Sequence, residues 1–162
     1  QWLGITTTAD DAPLAALLRA ALETCESFTG TMPLAAECEE VLSVRTGWQM
    51  LLTRPVQAIV GLTGLPPAGA PFALAIDAYA IDLTADGGGR VRILAPGTAS
   101  RIAVRFTAGL ATTWDALPDG LRHGILRLAA HQHRERESEG ASPLPPAAVA
   151  ALWRPWRRLR IA

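Results

Sequence analysis

The sequence predicts an α+β protein, with two long helices packed with a small antiparallel β-sheet and a C-terminal helical docking segment. Three observations carry that reading. Two stretches, one near each end of the main body, repeat their apolar residues at the three-to-four spacing of a helix. Between them, from Ala35 to Gly109, the period falls to two, and Pro and Gly clusters cut the chain into short runs. Beyond residue 140 a proline-rich stretch leads into "LWRPWRRLRIA", two tryptophans and four arginines in eleven residues.

The first helix is "DDAPLAALLRAALETCESFTG". Asp10 or Asp11 can cap its start, Pro13 suits the first turn and Gly30 supplies the stop. Leu14, Leu17, Leu18, Ala21, Leu22, Cys25 and Phe28 recur at helical spacing and form one apolar face. Next, "ECEEVLSVRTGWQMLL" alternates and contains a Thr-Gly turn, which reads as a hairpin. "VQAIVGLTGL" and "FALAIDAYAIDL" continue as β-like runs, Asp86 to Gly89 forms a hairpin tip, and "RVRIL" returns from it. In "RIAVRFTAGL" Ile102, Val104 and Phe106 share one side, with Arg101, Arg105 and Thr107 on the other. About five or six short strands are expected.

"LPDGLRHGILRLAAHQHRERESEG" is the second long helix, opened at Pro118-Asp119 and closed near Gly140. Leu117, Leu121, Ile125 and Leu128 form its buried stripe, and Arg122, His123, Arg127 and Arg134 lie outside it. At about 1.5 Å per residue it spans roughly 30 Å. "GASPLPP" is a stiff linker, and Pro145-Pro146 can open a last short helix that Pro155 bends or ends. The expected division is a core domain over residues 1–140 and a proline-rich linker with its C-terminal docking segment over 141–162.

Composition excludes several classes. A chain of 162 residues with 49% hydrophobic content and zero formal charge is an ordinary globular protein, not a disordered one. No apolar run approaches the roughly 20 residues of a membrane span, and no basic start before an apolar stretch suggests a secretory leader. Cys25 and Cys38 lie in different elements and are read as thiols of a protein made in the cytoplasm, not as a disulfide. Charge is segregated: ten acids against three arginines up to Asp86, five acids against twelve arginines after it. Such a molecule suits head-to-tail stacking on copies of itself or on a partner.

No constellation of catalytic residues emerges, so no enzyme activity is expected. None of the five serines (Ser27, Ser43, Ser100, Ser138 and Ser142) sits in a Gly-x-Ser-x-Gly elbow. Glu37 and Glu39 share a strand's solvent face, with Glu40 beside them, and need no acid–base role. His131 and His133 are two residues apart and point to different faces, and His123 stands two turns from His131; neither spacing holds a metal. Gly87–Gly89 lacks the following Lys-Ser/Thr of a phosphate loop. No metal or cofactor is therefore expected. No helix-turn-helix, ribonucleoprotein or zinc-finger pattern appears among the scattered arginines, which argues against sequence-specific DNA reading.

The order of elements resembles the head–tail adaptor (connector) family of tailed bacteriophages and gene transfer agents. The likeness runs through the opening helix, "LLTRPVQAIVGL", "AYAIDL" and "IAVRFTAGLATTWDALPDGLRHGILRLAAHQHRER", with "VRFTAGL" before "LPDGLRHGILRLAAH" its most specific part. The tail "PPAAVAALWRPWRRLRIA" is similar to the adaptors of gene transfer agents. The resemblance implies a structural part of a particle neck, assembled in the bacterial cytoplasm. There a ring of about twelve copies would sit between the portal protein and a stopper or tail-completion protein. Double-stranded DNA would pass through the ring and touch it without sequence preference.

It also implies that the C-terminal segment docks on the portal. Leu152, Trp153, Trp156 and Leu159 follow the spacing of an anchor stripe, Arg154, Arg157 and Arg158 fall opposite, and Arg160 and Ile161 extend the segment. The glycine-rich tip "TADGGGRVR" departs from the family pattern, so its side of the ring stays open. A second reading places the Trp/Arg tail on a membrane surface, with Val149, Leu152, Trp153, Trp156 and Leu159 facing lipid.

Overall fold

The structure is a computed structural model that describes residues 11–135 and 145–157. The Asp10 cap, the helix end and linker over 136–144, and Arg158, Leu159, Arg160 and Ile161 lie outside the described residues. The architecture is α+β, and the chain divides into two compact units, Leu34–Thr113 and the remainder. Residues 147–157 group with the helices.

The helical unit holds α1 (Asp11–Thr29), α2 (Asp119–Arg134) and α3 (Ala147–Trp153). In α1, Asp11 stands in the first turn, where the helix dipole favours an acid, and the Gly30 amide donates to the Glu26 carbonyl at the other end. The predicted stripe is recovered, with Ala21 and Cys25 at its buried centre. α2 begins after Pro118, which sets the entry without a side-chain cap, and its last turn carries His131, His133 and Arg134, the signs its dipole prefers. Leu117, Leu121, Ile125 and Leu128 are all buried, as their spacing predicts. Pro146 opens α3, and a 3-10 turn over Arg154–Trp156 follows where Pro155 ends it. The three helices pack on one another.

The second unit contains seven strands in two antiparallel sheets. β1 (Ala36–Ser43), β3 (Val56–Leu65), β4 (Phe72–Ala73) and β7 (Arg101–Ala108) form one in the order β1-β7-β3-β4. β2 (Trp48–Met50), β5 (Tyr79–Leu83) and β6 (Gly89–Ile93) form the other in the order β2-β6-β5. β7 is paired on both sides, so its apolar alternation marks a buried position: Ile102, Val104 and Phe106 are buried, Arg101 and Arg105 exposed. The β5–β6 hairpin turns where the sequence predicts, and Gly87 adopts a φ of +78° there, a conformation that costs a side-chain-bearing residue energy.

One expectation is corrected. β1 and β2 do not form a hairpin. β1 pairs with β7 from Ala36↔Ala108 to Ser43↔Arg101, while β2 pairs with β6 from Trp48↔Arg92 to Met50↔Arg90. The Thr46-Gly47 stretch therefore carries the chain from one sheet to the other. Glu40 stabilises this crossing. Its carboxylate accepts the Leu52 amide at 2.9 and 3.1 Å and the Thr53 amide at 2.8 Å.

Candidate partner-binding surfaces

The C-terminal segment begins inside its own subunit. Trp153 is fully buried, its indole 5.9 Å from the Phe28 ring of α1, and its Nε1–H donates to the Leu121 carbonyl of α2 at 3.3 Å. The space it fills exists because Gly124 has no side chain. A Cβ built there would lie 2.8 Å from two indole carbons, inside any real contact distance. One turn earlier, Gly120 faces the Leu152 carbonyl and the Trp156 Nε1, at 3.4 and 3.6 Å from where its Cβ would stand. The pair Gly120 and Gly124 thus makes a smooth strip on α2 along which the tail tryptophans lie.

Of the expected anchor stripe, Trp153 packs in the helical core of its own subunit. Leu152 and Trp156 are half-buried, while Arg154 and Arg157 are exposed. Arg157 places its guanidinium 5.3 Å from the Phe28 ring of α1, a cation–π contact. The segment therefore offers arginine outward and tryptophan inward.

The histidines stay apart, as their spacing requires. His131 Nε2 lies 3.0 Å from Glu135 on the next turn, and no group of three His, Cys, Asp or Glu able to hold a metal occurs among the described residues. Cys25 is buried, and desolvation, aided by the neighbouring Glu26 charge, pushes its thiol up to about 12. Burial, with Glu23 nearby, likewise raises Glu26 above the usual carboxylate range.

Around the Gly87–Gly89 tip, the Asp86 carboxylate accepts from Arg54 at 3.0 Å and from the Thr84 hydroxyl. Thr84 Oγ1 and the Gly88 amide take up the remaining turn positions, so the tip is a closed hydrogen-bonded structure and not an open anion cradle. Among the described arginines, Arg90 pairs with Asp82 at 2.7 Å and Arg122 with Asp119 at 2.6 Å.

One surface escaped the sequence reading. On the exposed face of the three-stranded sheet, the guanidiniums of Arg90 and Arg92 lie 4.9 and 5.2 Å from the Trp48 ring centroid. Met50 shares this face by strand alternation and is exposed, as is Leu94 just past the end of β6. The signal was present in "WQM" and "RVRIL", where Trp, Met and Arg occupy alternate positions. Only the β2–β6 register brings them together.

No family model matches the sequence, and no curated protein matches it. Solved structures do. A chain from the neck of an empty gene transfer agent particle, computed with six-fold symmetry, is similar at 27% identity and a TM-score of 0.77, covering 99% of this chain and 86% of that one. A chain from the virion of a native gene transfer agent particle matches at 29% identity and 0.73, over 99% and 87%. A third, from the neck of a native particle computed with twelve-fold symmetry, matches at 25% identity and 0.75, over 98% and 95%. The resemblance read from the sequence is borne out: nearly the whole chain shares its fold with components of gene transfer agent particles.

Proposed function

We propose that this chain is a structural subunit of the neck of a phage-like particle, a head–tail adaptor of the gene transfer agent type. It assembles as a ring of about twelve copies between the portal protein and a stopper or tail-completion protein. Double-stranded DNA passes through the middle and meets the ring without sequence preference. The observation that carries this reading is the similarity over nearly the full chain to neck chains solved with six-fold and twelve-fold symmetry. The subunit needs no turnover for this role.

Portal docking falls to the outermost part of the tail. With Trp153 held in the core, the groups left to dock are Arg154, Trp156, Arg157 and the outlying Arg158, Leu159, Arg160 and Ile161. Arginine suits the task because its planar fork binds carboxylates through two parallel hydrogen bonds. The membrane-surface reading loses the aromatic residue it most needs, since Trp153 is buried.

Tagging the chain in cells that produce particles tests the role. The tag should co-purify with the portal and label the neck in electron micrographs. Purified particles without the tag would count against the proposal. Removing residues 158–162 should leave the fold intact and abolish portal association; retained association would move docking elsewhere.

A further inference from the structure

Two faces of the β unit carry charges that are left unmatched among the described residues. On the first, Arg92 stacks on Trp48 and pairs with no carboxylate among the described residues, whereas its neighbour Arg90 is committed to Asp82. Trp48 remains 39% exposed and Leu94 53% exposed beside it. Tryptophan, methionine and arginine are the types enriched in the centres of protein interfaces. Asp82 and the apolar Met50 and Leu94 make the same face a poor match for a polyanion.

The second face is the outer side of β1 and β3 in the four-stranded sheet. Glu37 and Glu39 stand there without a cation partner among the described residues; Arg105 is opposite Glu39 in register, yet no ion pair forms between them. The register of β3 shifts between Ile59 and Gly61, and the extra residue, Val60, is 63% exposed. Glu37, Glu39, Val60 and Arg105 border a hollow of about 270 Å³. Even with Arg105 in its lining, the two carboxylates leave the hollow net negative, and Val60 adds apolar surface, which together suit an indole with an arginine stacked on it.

We propose that the Trp48–Arg92 face of one copy seats in the Glu37–Glu39–Val60 hollow of the next, and that this contact links subunits around the ring. The inference rests on the ring reading above and names the surfaces that make it. Because the faces belong to different sheets, the contact is head-to-tail, the type that generates a closed ring when its rotation closes. Matched charge also selects this pairing over face-to-face contact of two arginine surfaces.

Cysteine crosslinking of the full chain bound to portal tests it. On a Cys38→Ser background, Arg92→Cys with Glu39→Cys should give an oxidation ladder that ends at the ring's copy number, while either cysteine alone should give no ladder. Arg92→Glu or Glu39→Arg alone should weaken association about tenfold or more, and a copy carrying both changes should regain it. Intact wild-type rings with no ladder and no rescue would overturn the interface while leaving the ring reading in place. Absence of any ring from the wild-type chain on portal would overturn both.

Discussion

The buried Trp153 indole occupies the place where a side chain on Gly124 would have to stand. A single glycine on α2 thus decides that the tail begins as part of the subunit core. Replacing Gly124 with Ala should destabilise the protein by about 1–3 kcal/mol through overpacking, although alanine is the better helix former. Gly120→Ala is the control: its Cβ would meet only ordinary contacts at 3.4 and 3.6 Å, so stability should hold or rise slightly. Thermal melting of the two variants separates them.

Trp153→Ala should cost about 3–5 kcal/mol, since it opens a cavity among three helices and strips the Leu121 carbonyl of a donor. Truncation before Trp153 should destabilise the fold comparably, whereas truncation after Arg157 should not. Denaturant midpoints of the three proteins decide the matter.

Glu40→Ala should cost about 1–2 kcal/mol, because the Leu52 and Thr53 amides lose a charged acceptor. Glu37→Ala, with no such contact, should be close to neutral. Urea unfolding of both variants provides the comparison.

The two thiols should behave differently. Half-exposed Cys38 should react with a thiol reagent in the native protein, and buried Cys25 only after unfolding. The folded state holds the Cys25 proton to about 12, so it binds more protons than the unfolded chain at moderately alkaline pH. This contribution to stability is present below the ordinary thiol pKa and declines as pH rises toward 12. A melting profile of wild type against Cys25→Ala, taken upward from neutral pH, should show the extra alkaline loss only in wild type.

Chelation should change neither melting temperature nor ring assembly. The described histidines are spread along α2 without converging, and His131 is engaged with Glu135. A fall in melting temperature on adding EDTA would contradict this.

What the sequence determined by itself is the local part of the structure. The stripe Leu117, Leu121, Ile125 and Leu128, the alternation of β7 and the Asp86–Gly89 tip follow from period and turn chemistry, which act between near neighbours in the chain. The likeness to adaptors was readable for the same reason, because it rests on the order of those elements.

Tertiary structure alone decided what each face meets. Periodicity groups Leu152, Trp153 and Trp156 as one stripe, but it says nothing of what the stripe rests on. The Gly120 and Gly124 strip is visible only once α2 and α3 pack. In the same way, alternation marks β1 and β2 as strands without naming their partners. Their separation into two sheets, and the meeting of Trp48 with Arg92, depend on pairings across more than forty residues of chain. Such long-range contacts are chosen by the joint burial of many side chains, and no local pattern encodes that choice.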